Sequence, residues 1–252
     1  NGPRPSDPRR PTYKENVYSF QYGPVLCIGF NNNYWWTTNQ KVKEYGGSPE
    51  GYIMDDQMRW IESQLERAEQ SDSIRFVVLF AQEPIFPCGG HVKDAMWWNG
   101  DNRYRAYTRM GDRLVPSDHG MIEVRNRFWQ AVAGSSKVAA VLSGDEHEYH
   151  RLRVDRATPV GVMEKDDTDG DGVLDKYSPN PKFTHPTWHI TAGTAGAPYY
   201  AREKTPWTPV KLSSQCGYCM FEVKGDRMSM TFYSMTGQKV DVVDDLMAIK
   251  RK

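Results

Sequence analysis

The clearest feature of the chain is a pair of apolar runs that do not alternate with polar residues, at residues 74–81 and 137–142. Runs of strand length without alternation predict strands that are buried on both faces. Apolar positions at helical spacing predict an amphipathic helix at residues 55–70, and a second helix is expected at residues 117–133. Residues 17–30 are typical of two strands joined by a tight turn. This order of elements predicts an α/β protein, a layered β sheet flanked by helices.

The pattern changes after Arg151. Short β segments at residues 188–192, 219–223 and 229–233 are separated by Gly and Pro, which predicts antiparallel strands that close one side of the α/β layer. The loop at residues 82–116 is long and rich in Trp, Asn, Gly and Arg. Loops of this length are usually functional lids or partner contacts.

The start of the chain differs in composition from the rest. Four prolines and four basic residues among the first fifteen predict an extended arm or linker at residues 1–16, followed by one domain at residues 17–252. A first residue other than Met, without a signal-peptide pattern, is typical of a processed product or of a piece cut from something longer.

Charge and hydropathy exclude several function classes. The 32 basic residues balance the 32 acidic ones, so net charge indicates neither nucleic acid nor a membrane surface. No apolar run approaches the roughly 20 residues that span a bilayer. The 8 Trp and 14 Tyr residues suit an extracellular setting. Aromatic residues at 31–36 and 96–107 leave open a carbohydrate-binding surface as an alternative function.

The four cysteines give little information about redox chemistry. Cys216 and Cys219 form a C-x-x-C pair, whereas Cys27 and Cys88 stand alone. A single C-x-x-C lacks the second pair that a zinc knuckle requires. A structural disulfide or buried thiols are therefore expected in preference to a metal site.

The most informative stretch is residues 141–151. The apolar strand ends at Gly144, and Asp145, His147 and His150 follow within six residues, together with Glu146. A strand that stops at a glycine and is followed by carboxylates and imidazoles is how α/β proteins place metal ligands at a sheet edge.

The spacing Gly144-x-x-His147-x-Tyr149-x-Arg151 resembles the last metal-binding motif of the calcineurin-like metallophosphoesterases, Gly-His-x-His-x-Tyr-x-Arg in members of purple-acid-phosphatase type. Further segments resemble the family in the family's own order: residues 18–23, the helix positions Gln57, Trp60 and Leu65, residues 76–84 and residues 190–196. The resemblance covers essentially the whole chain and implies the C-terminal part of the family domain.

Two family ligands differ. The histidine of the family's His-x-Pro motif is Gln82 here, and the first histidine of its Gly-His-x-His motif is Asp145. The family's N-terminal ligand motifs do not occur before Tyr18. The resemblance therefore implies a partner, the N-terminal half of the same domain, as a missing segment or a separate chain. His91 is the imidazole close enough in sequence to Gln82 to compensate for a lost ligand.

The resemblance implies a site with two divalent metals, Zn, Fe, Mn or Mg, that hydrolyses small phosphomonoesters or phosphodiesters. Its transition-metal ligands would be Asp145, His147 and Gln82, and Asp145, His147 and Arg151 would be catalytic. Oxygen ligands in place of imidazoles shift such a site towards harder metals or abolish it.

Structural roles without metal binding or catalysis remain open as alternatives for the same residues. Asp145 and His147 would form only a hydrogen-bonded pair in a degenerate site. Arg151 would form a salt bridge to Glu146 or Glu148, and His150, which alternates away from His147, would lie on the surface.

A separate motif predicts calcium. Residues 167–175 follow the pattern D-x-D-x-D-G-x-x-D of calcium loops, and the expected ligands are Asp167, Asp169, Asp171 and Asp175. The loop lies within a predicted insertion at about residues 163–180. A loop of this kind binds Ca²⁺ at extracellular concentrations, so an extracellular or periplasmic location is expected.

Two functions therefore compete. One is an exported metallophosphoesterase-like hydrolase completed by an N-terminal segment. The other is a catalytically inactive relative that serves as a secreted, calcium-stabilised structural or binding protein.

Overall fold

The computed structural model describes residues 2–36 and 46–251, which form a main sheet of seven strands and two smaller sheets. Within them the strands are β1 (Tyr18–Tyr22), β2 (Val25–Gly29), β3 (Phe76–Phe80), β4 (Tyr107–Met110), β5 (Arg113–Pro116), β6 (Val138–Ser143), β7 (Tyr149–Val154), β8 (Thr187–Ala192), β9 (Lys211–Ser213), β10 (Gly217–Lys224), β11 (Arg227–Ser234) and β12 (Lys239–Val243). The helices there are α1 (Asp55–Glu69), α2 (Met121–Gly134) and the one-turn α3 (Met163–Asp166), with 3-10 turns at Trp98–Gly100 and Leu246–Lys250.

The strand order of the main sheet is β1-β2-β3-β6-β8-β7-β9. Four neighbouring strands, β2, β3, β6 and β8, run parallel. β1, β7 and β9 pair antiparallel with their neighbours. The carboxyl ends of the parallel strands therefore share one edge of the sheet, which is where sites form in open α/β sheets.

The two predicted buried strands are confirmed, and the reason is that each contributes to two cores. Val77 and Leu79 of β3 lie in the core on the helix side, whereas Phe76 and Val78 lie in the core on the opposite side. That second core includes Met230 from the separate sheet β10-β11-β12. A strand covered on both faces requires apolar residues at every position, so the pattern does not alternate.

The first helix is confirmed with nearly the expected bounds, because its apolar face is regular. Its buried apolar residues are Met58, Ile61, Leu65 and Ala68. The second helix begins at Met121, four residues later than expected. The side-chain oxygen of Asn102 accepts hydrogen bonds from the first-turn amides of Ile122 and Glu123. A Cβ atom on Gly120 would lie 1.7 Å from the carbonyl oxygen of Asn102, so this distant loop fixes where the helix starts.

The short C-terminal strands divide between two sheets. Residues 219–223 and 229–233 lie in β10 and β11 of the antiparallel sheet, as expected. Residues 188–192 instead lie in β8, which pairs parallel with β6 inside the main sheet. The β4–β5 hairpin and β7 were not predicted, since β4 and β5 are only four residues long and β7 contains three charged or imidazole residues.

The start of the chain lies against the domain. Residues 2–16, the described part of the predicted arm, form neither helix nor strand, and Asn1 lies outside the described residues. Tyr13 is fully buried, stacks on Tyr34 at 3.9 Å and donates a hydrogen bond to Asp56 of α1. No helix among the described residues is long and apolar enough to cross a membrane.

Candidate functional site

Three carboxylates and one imidazole meet at the carboxyl edge of the parallel strands. Glu83 and His91 lie in the loop after β3, Asp145 follows β6, and Glu50 precedes α1. One ligand atom from each residue lies within 4.8 Å of the others. We call these four residues the edge cluster. Its donor set of three oxygens and one nitrogen suits divalent cations such as Mn²⁺, Mg²⁺ or Zn²⁺.

His91 is oriented by a second carboxylate. Its Nδ1 atom lies 3.0 Å from Asp94 Oδ1, and its Nε2 atom lies 3.5 Å from Asp145 Oδ2. A carboxylate that accepts the Nδ1 proton fixes the tautomer and directs the lone pair of Nε2 into the cluster. Histidine ligands of metals are held in this way in many proteins.

Glu83 is fully buried and held by the Asn-rich loop after β2. The side chain of Asn33 donates a hydrogen bond of 2.7 Å to Glu83 Oε1. Asn32 brackets the backbone of Glu83, donating to its carbonyl oxygen and accepting from its amide. Among the described residues, Glu83 Oε2 has no hydrogen-bond partner. The carboxylate is therefore fixed on one side and free on the side of the cluster.

The charges of the edge cluster are not balanced. Burial, followed by the charge of Asp145, raises the pKa of Glu83 to about 9. Burial, followed by the charge of Asp94, also raises the pKa of Glu50. The hydrogen bond to Asp94 raises the pKa of His91 to about 9, against the opposing effect of burial. Burial is the main cause for both glutamates, and neighbouring carboxylates add to all three shifts. A divalent cation would offset that negative charge.

Asp145 has a strained backbone. Its φ angle is +60°, in the left-handed region that few residues other than Gly, Asn and Asp adopt. The preceding turn is anchored by a hydrogen bond of 3.0 Å from the amide of Gly144 to the carbonyl oxygen of Gln82. Strained residues of this kind concentrate at functional sites, where the surrounding structure holds them in place.

Of the predicted metal ligands, the structure brings only Asp145 into the edge cluster. Gln82 is exposed, and its neighbour Glu83 is turned inward instead. The ring of His147 stacks on Tyr200 at 4.0 Å, and its Nδ1 atom lies 2.8 Å from the carbonyl oxygen of Pro198. His91 and Asp145 were predicted near the site from the sequence, whereas Glu50 was not, because no local pattern distinguishes it.

Arg151 lies in a different environment from the one expected. Its guanidinium binds Asp241 through two hydrogen bonds of 2.7 and 3.0 Å. It also lies 4.5 Å from the ring centre of Trp188. The expected alternative, a salt bridge to Glu146 or Glu148, is wrong, because at residue 151 the side chain faces the C-terminal sheet. The catalytic role expected of Arg151 stays a prediction.

The expectation of a surface position for His150 is wrong. Glu146, Glu148 and His150 are all fully buried. The turns at residues 144–148, with amide hydrogen bonds from Glu146 to Gly144 and from Glu148 to Glu146, place these side chains in the interior while Asp145 joins the edge cluster.

The edge cluster lies outside the cavity of about 640 Å³ between the N-terminal arm, the β4–β5 hairpin and the two long helices. None of its four residues lines that cavity. The cluster is therefore an edge site, partly open at Asp145, whose side chain is 23% exposed.

A comparison with protein families matches residues 187–244 to the model described as iron/zinc purple acid phosphatase-like protein C. The C-terminal region of the chain is thus similar to the C-terminal part of that family. No curated protein matches the chain.

Solved structures with the same fold include the purple acid phosphatase PPD1 from yellow lupin (Lupinus luteus) seeds, at 14% identity and a TM-score of 0.51. The alignment covers 90% of this chain and 32% of the lupin chain. GAP50, the anchor in the inner membrane complex of Plasmodium, is 12% identical, with a TM-score of 0.46 and coverages of 91% and 52%. PhoD is 13% identical, with a TM-score of 0.44 and coverages of 91% and 42%. The chain thus spans about a third to a half of these proteins.

The region matched by the family model, residues 187–244, packs against the segment that carries Asp145. A Cβ atom on Gly193 would lie 2.0 Å from the carbonyl oxygen of Glu146, so only glycine allows the turn after β8 to approach the segment that carries Asp145. Asp241, in the same region, holds Arg151. The matched region therefore positions the site while contributing none of its four cluster residues.

The aromatic residues of the two loops divide between the core and the surface. Tyr34 and Trp97 are buried and Trp98 stacks on Tyr104, whereas Trp36 is 53% exposed, so a carbohydrate-binding surface stays a prediction. All four cysteines are free thiols, and Cys88 is fully buried.

The predicted calcium loop is compact. Ligand atoms of Asp167, Asp169 and Asp175 lie within 4.8 Å of one another. Asp171 lies outside that group, and its side chain accepts a hydrogen bond of 2.8 Å from the amide of Val173. Asp175 and Asp167 also accept hydrogen bonds from loop amides.

Proposed function

We propose that the chain is the C-terminal part of an exported, metal-dependent phosphoester hydrolase with an altered metal site. The ligands are Glu50, Glu83, His91 and Asp145, which replace part of the histidine set of the family. The observation that carries this proposal is the approach of His91 Nε2 to within 3.5 Å of Asp145 Oδ2, with Asp94 behind the ring.

The chain's own residues support binding of a metal in defined ways. Asp94 holds the imidazole of His91, Asn33 holds one oxygen of Glu83, and the left-handed backbone fixes Asp145. A bound divalent ion would polarise a phosphoryl oxygen and acidify a water molecule for attack. Three carboxylates favour Mn²⁺ or Mg²⁺ over a softer ion.

Charge indicates that the site is completed from elsewhere. Three carboxylates outweigh one divalent ion, so a phosphate dianion needs a further cation. We propose that an N-terminal segment or separate chain supplies that cation's remaining ligands, since this chain spans 32% of the lupin enzyme. The first strand, β1, lies at an edge of the sheet, with Tyr18, Phe20 and Tyr22 exposed by 39%, 50% and 82%. Such an edge suits pairing with another strand.

We also propose Ca²⁺ as a structural ion at Asp167, Asp169 and Asp175, which supports an extracellular or periplasmic location. The same loop favours the rival function, an inactive relative that serves as a secreted, calcium-stabilised binding protein. Both functions keep the calcium loop, and only the hydrolase requires a metal at the edge cluster.

The test measures metal binding by the full chain. After removal of metals with a chelator, Mn²⁺ is titrated and free Mn²⁺ is followed by electron paramagnetic resonance. We expect the wild type to bind Mn²⁺ and His91→Gln to bind at least about tenfold more weakly. The matched control is His119→Gln, because the His119 side chain is 56% exposed and lies in an ion pair with Glu123 outside the cluster.

Equal binding by His91→Gln and the wild type would overturn the proposed site. His147→Ala separates the two ligand sets, because it weakens binding only if the ligands are those of the family motif. Hydrolysis of an aryl phosphate, assayed with the natural N-terminal segment present, then distinguishes the hydrolase from the rival. Metal binding without hydrolysis would favour the inactive relative.

A further inference from the structure

We propose a second, fully buried metal site, formed by Glu146, Glu148 and His150, that binds Zn²⁺. It is separate from the edge cluster and does not depend on phosphoester hydrolysis. Ligand atoms of the three residues lie within 4.8 Å of one another. Each of the three residues is 0% exposed.

Burial of these side chains needs an explanation. Charged side chains are almost never fully buried unless they are paired or bind a metal. Residue 146 and residues 148–152 are all buried, and three of these positions, Glu146, Glu148 and His150, carry carboxylates and an imidazole. A segment selected only for packing would carry apolar residues there.

The geometry fits one tetrahedral ion. His150 Nδ1 lies 3.0 Å from Glu148 Oε1 and 3.4 Å from Glu146 Oε2. Ligand atoms about 2.1 Å from a tetrahedral Zn²⁺ ion lie about 3.4 Å apart. Each carboxylate therefore lies near ligand spacing from the imidazole nitrogen, and the two carboxylates lie within 4.8 Å of each other.

Protein hydrogen bonds leave the group incompletely satisfied. The amides of Cys88 and Gly89 donate to the carboxylate of Glu146, which holds that ligand in place. Glu148 Oε2 and His150 Nε2 have no hydrogen-bond partner among the described residues. An unpartnered, fully buried carboxylate oxygen within a cluster of ligands indicates that a further group binds there.

Charge leads to the same conclusion. Two carboxylates that are ionised in a fully buried group carry uncompensated negative charge. One Zn²⁺ ion bound by these carboxylates and a neutral imidazole leaves no net charge. When the ion binds, the proton on His150 Nδ1 leaves to solvent and the nitrogen lone pair becomes the ligand. The ion enters during folding, because all three ligands are inaccessible in the folded chain.

The experiment refolds the full chain with and without metal. Protein unfolded in urea with a chelator is refolded in Zn²⁺ or in Co²⁺, and the bound metal is counted by elemental analysis. Tetrahedral Co²⁺ gives visible absorption bands that report the ligand geometry. We expect a higher thermal midpoint for wild type refolded in Zn²⁺ than for wild type refolded in chelator.

The informative variant is Glu148→Gln, which keeps the shape of the side chain and removes one charge. We expect it to bind Zn²⁺ at least about 100-fold more weakly. Its thermal midpoint in chelator is measured as well, so that any loss of the Glu148–His150 pair is separated from the loss of zinc binding. The control is Glu222→Gln, whose side chain is 60% exposed on β10.

Asp145→Asn removes a ligand of the edge cluster, which can itself bind Zn²⁺, so the zinc-dependent rise in midpoint that remains in this variant reports the buried site. Equal zinc binding by Glu148→Gln and the wild type would overturn the proposal. A second measurement avoids variants: anomalous diffraction at the zinc absorption edge from crystals of refolded wild type. A peak between Glu146, Glu148 and His150 supports the site, and zinc bound only elsewhere rejects it.

Discussion

Two polar groups lie within a few residues of each other after β6, and they differ in charge balance. In one, Arg151 and Tyr149 both donate hydrogen bonds to Asp241, so the buried carboxylate is fully paired. In the edge cluster, by contrast, carboxylates of like charge gather around His91, and Glu83 keeps one unpartnered oxygen. A carboxylate that is paired with an arginine can connect two parts of a fold. A cluster with an excess of carboxylates is typical of a site that binds a cation.

The surroundings of the two groups support this distinction. Arg151 lies against Trp188 of the main sheet and binds Asp241 of β12, so the paired group connects the two sheets. The edge cluster lies where strands end and loops begin, and it includes the strained residue Asp145. The first group should therefore matter for stability and the second for ligand binding.

The largest expected effect on stability comes from breaking the paired group. Asp241→Ala leaves the guanidinium of Arg151 buried without its partner and removes the acceptor for the hydroxyl of Tyr149. We expect the free energy of unfolding to fall by about 3 to 5 kcal/mol, measured by urea denaturation. The control is Asp244→Ala, an exposed residue near the end of the same strand, which should change little. A loss for Asp241→Ala no larger than that of the control would contradict the structural role.

The same pair predicts an acid transition. Burial tends to raise the pKa of Asp241, but hydrogen bonds from Arg151 and Tyr149 outweigh it and hold the pKa below the usual value of 3.8. A lowered pKa stabilises the folded state above pH 3.8, and this stabilisation is lost as the pH falls below that value. Thermal midpoints of the wild type should therefore fall more steeply in this range than those of Asp241→Asn. Parallel curves for the two proteins would show that the pair does not titrate with unfolding.

Much of the fold could be predicted from the sequence, because its strongest patterns are local. The runs that become β3 and β6, and the apolar face of α1, depend on burial that each segment's own residues reveal. The start of α2 depends on Asn102, which lies 18 residues before Gly120, so no local pattern shows it. β7 was missed because its buried positions carry His and Arg.

The site was harder to predict, since its residues come from separate loops. Asp145 follows a strand that ends at a glycine, and this pattern identified it. The motif resemblance pointed to Gln82, but the side chain that enters the cluster belongs to its neighbour Glu83. A motif fixes a position in the sequence and not the direction in which a side chain points. Glu50 lies 33 residues before Glu83, and only the fold brings the two together.

The backbone of Asp145 gives a smaller effect, in the opposite direction from Asp241. Asn tolerates a left-handed φ angle, whereas Ala does not. In chelator, Asp145→Asn should be at least as stable as the wild type, because one of three clustered carboxylates is neutralised. Asp145→Ala should be about 1 kcal/mol less stable than Asp145→Asn. The measurement is urea unfolding, and equal stability of the two variants would mean that the left-handed conformation imposes no constraint.

The smallest expected effect comes from the calcium loop. Like the edge cluster it brings carboxylates of like charge together, but it lies on the surface. Ca²⁺ at a concentration equal to its dissociation constant should raise the free energy of unfolding by about 0.4 kcal/mol. Asp169→Asn should remove this gain, since Asp169 lies in the compact group with Asp167 and Asp175. Asp171→Asn is the matched control, because Asp171 lies outside that group, and it should keep most of the gain. Calorimetric titration with Ca²⁺ measures the difference, and an equal loss in both variants would show that all four aspartates bind, as the loop pattern alone predicts.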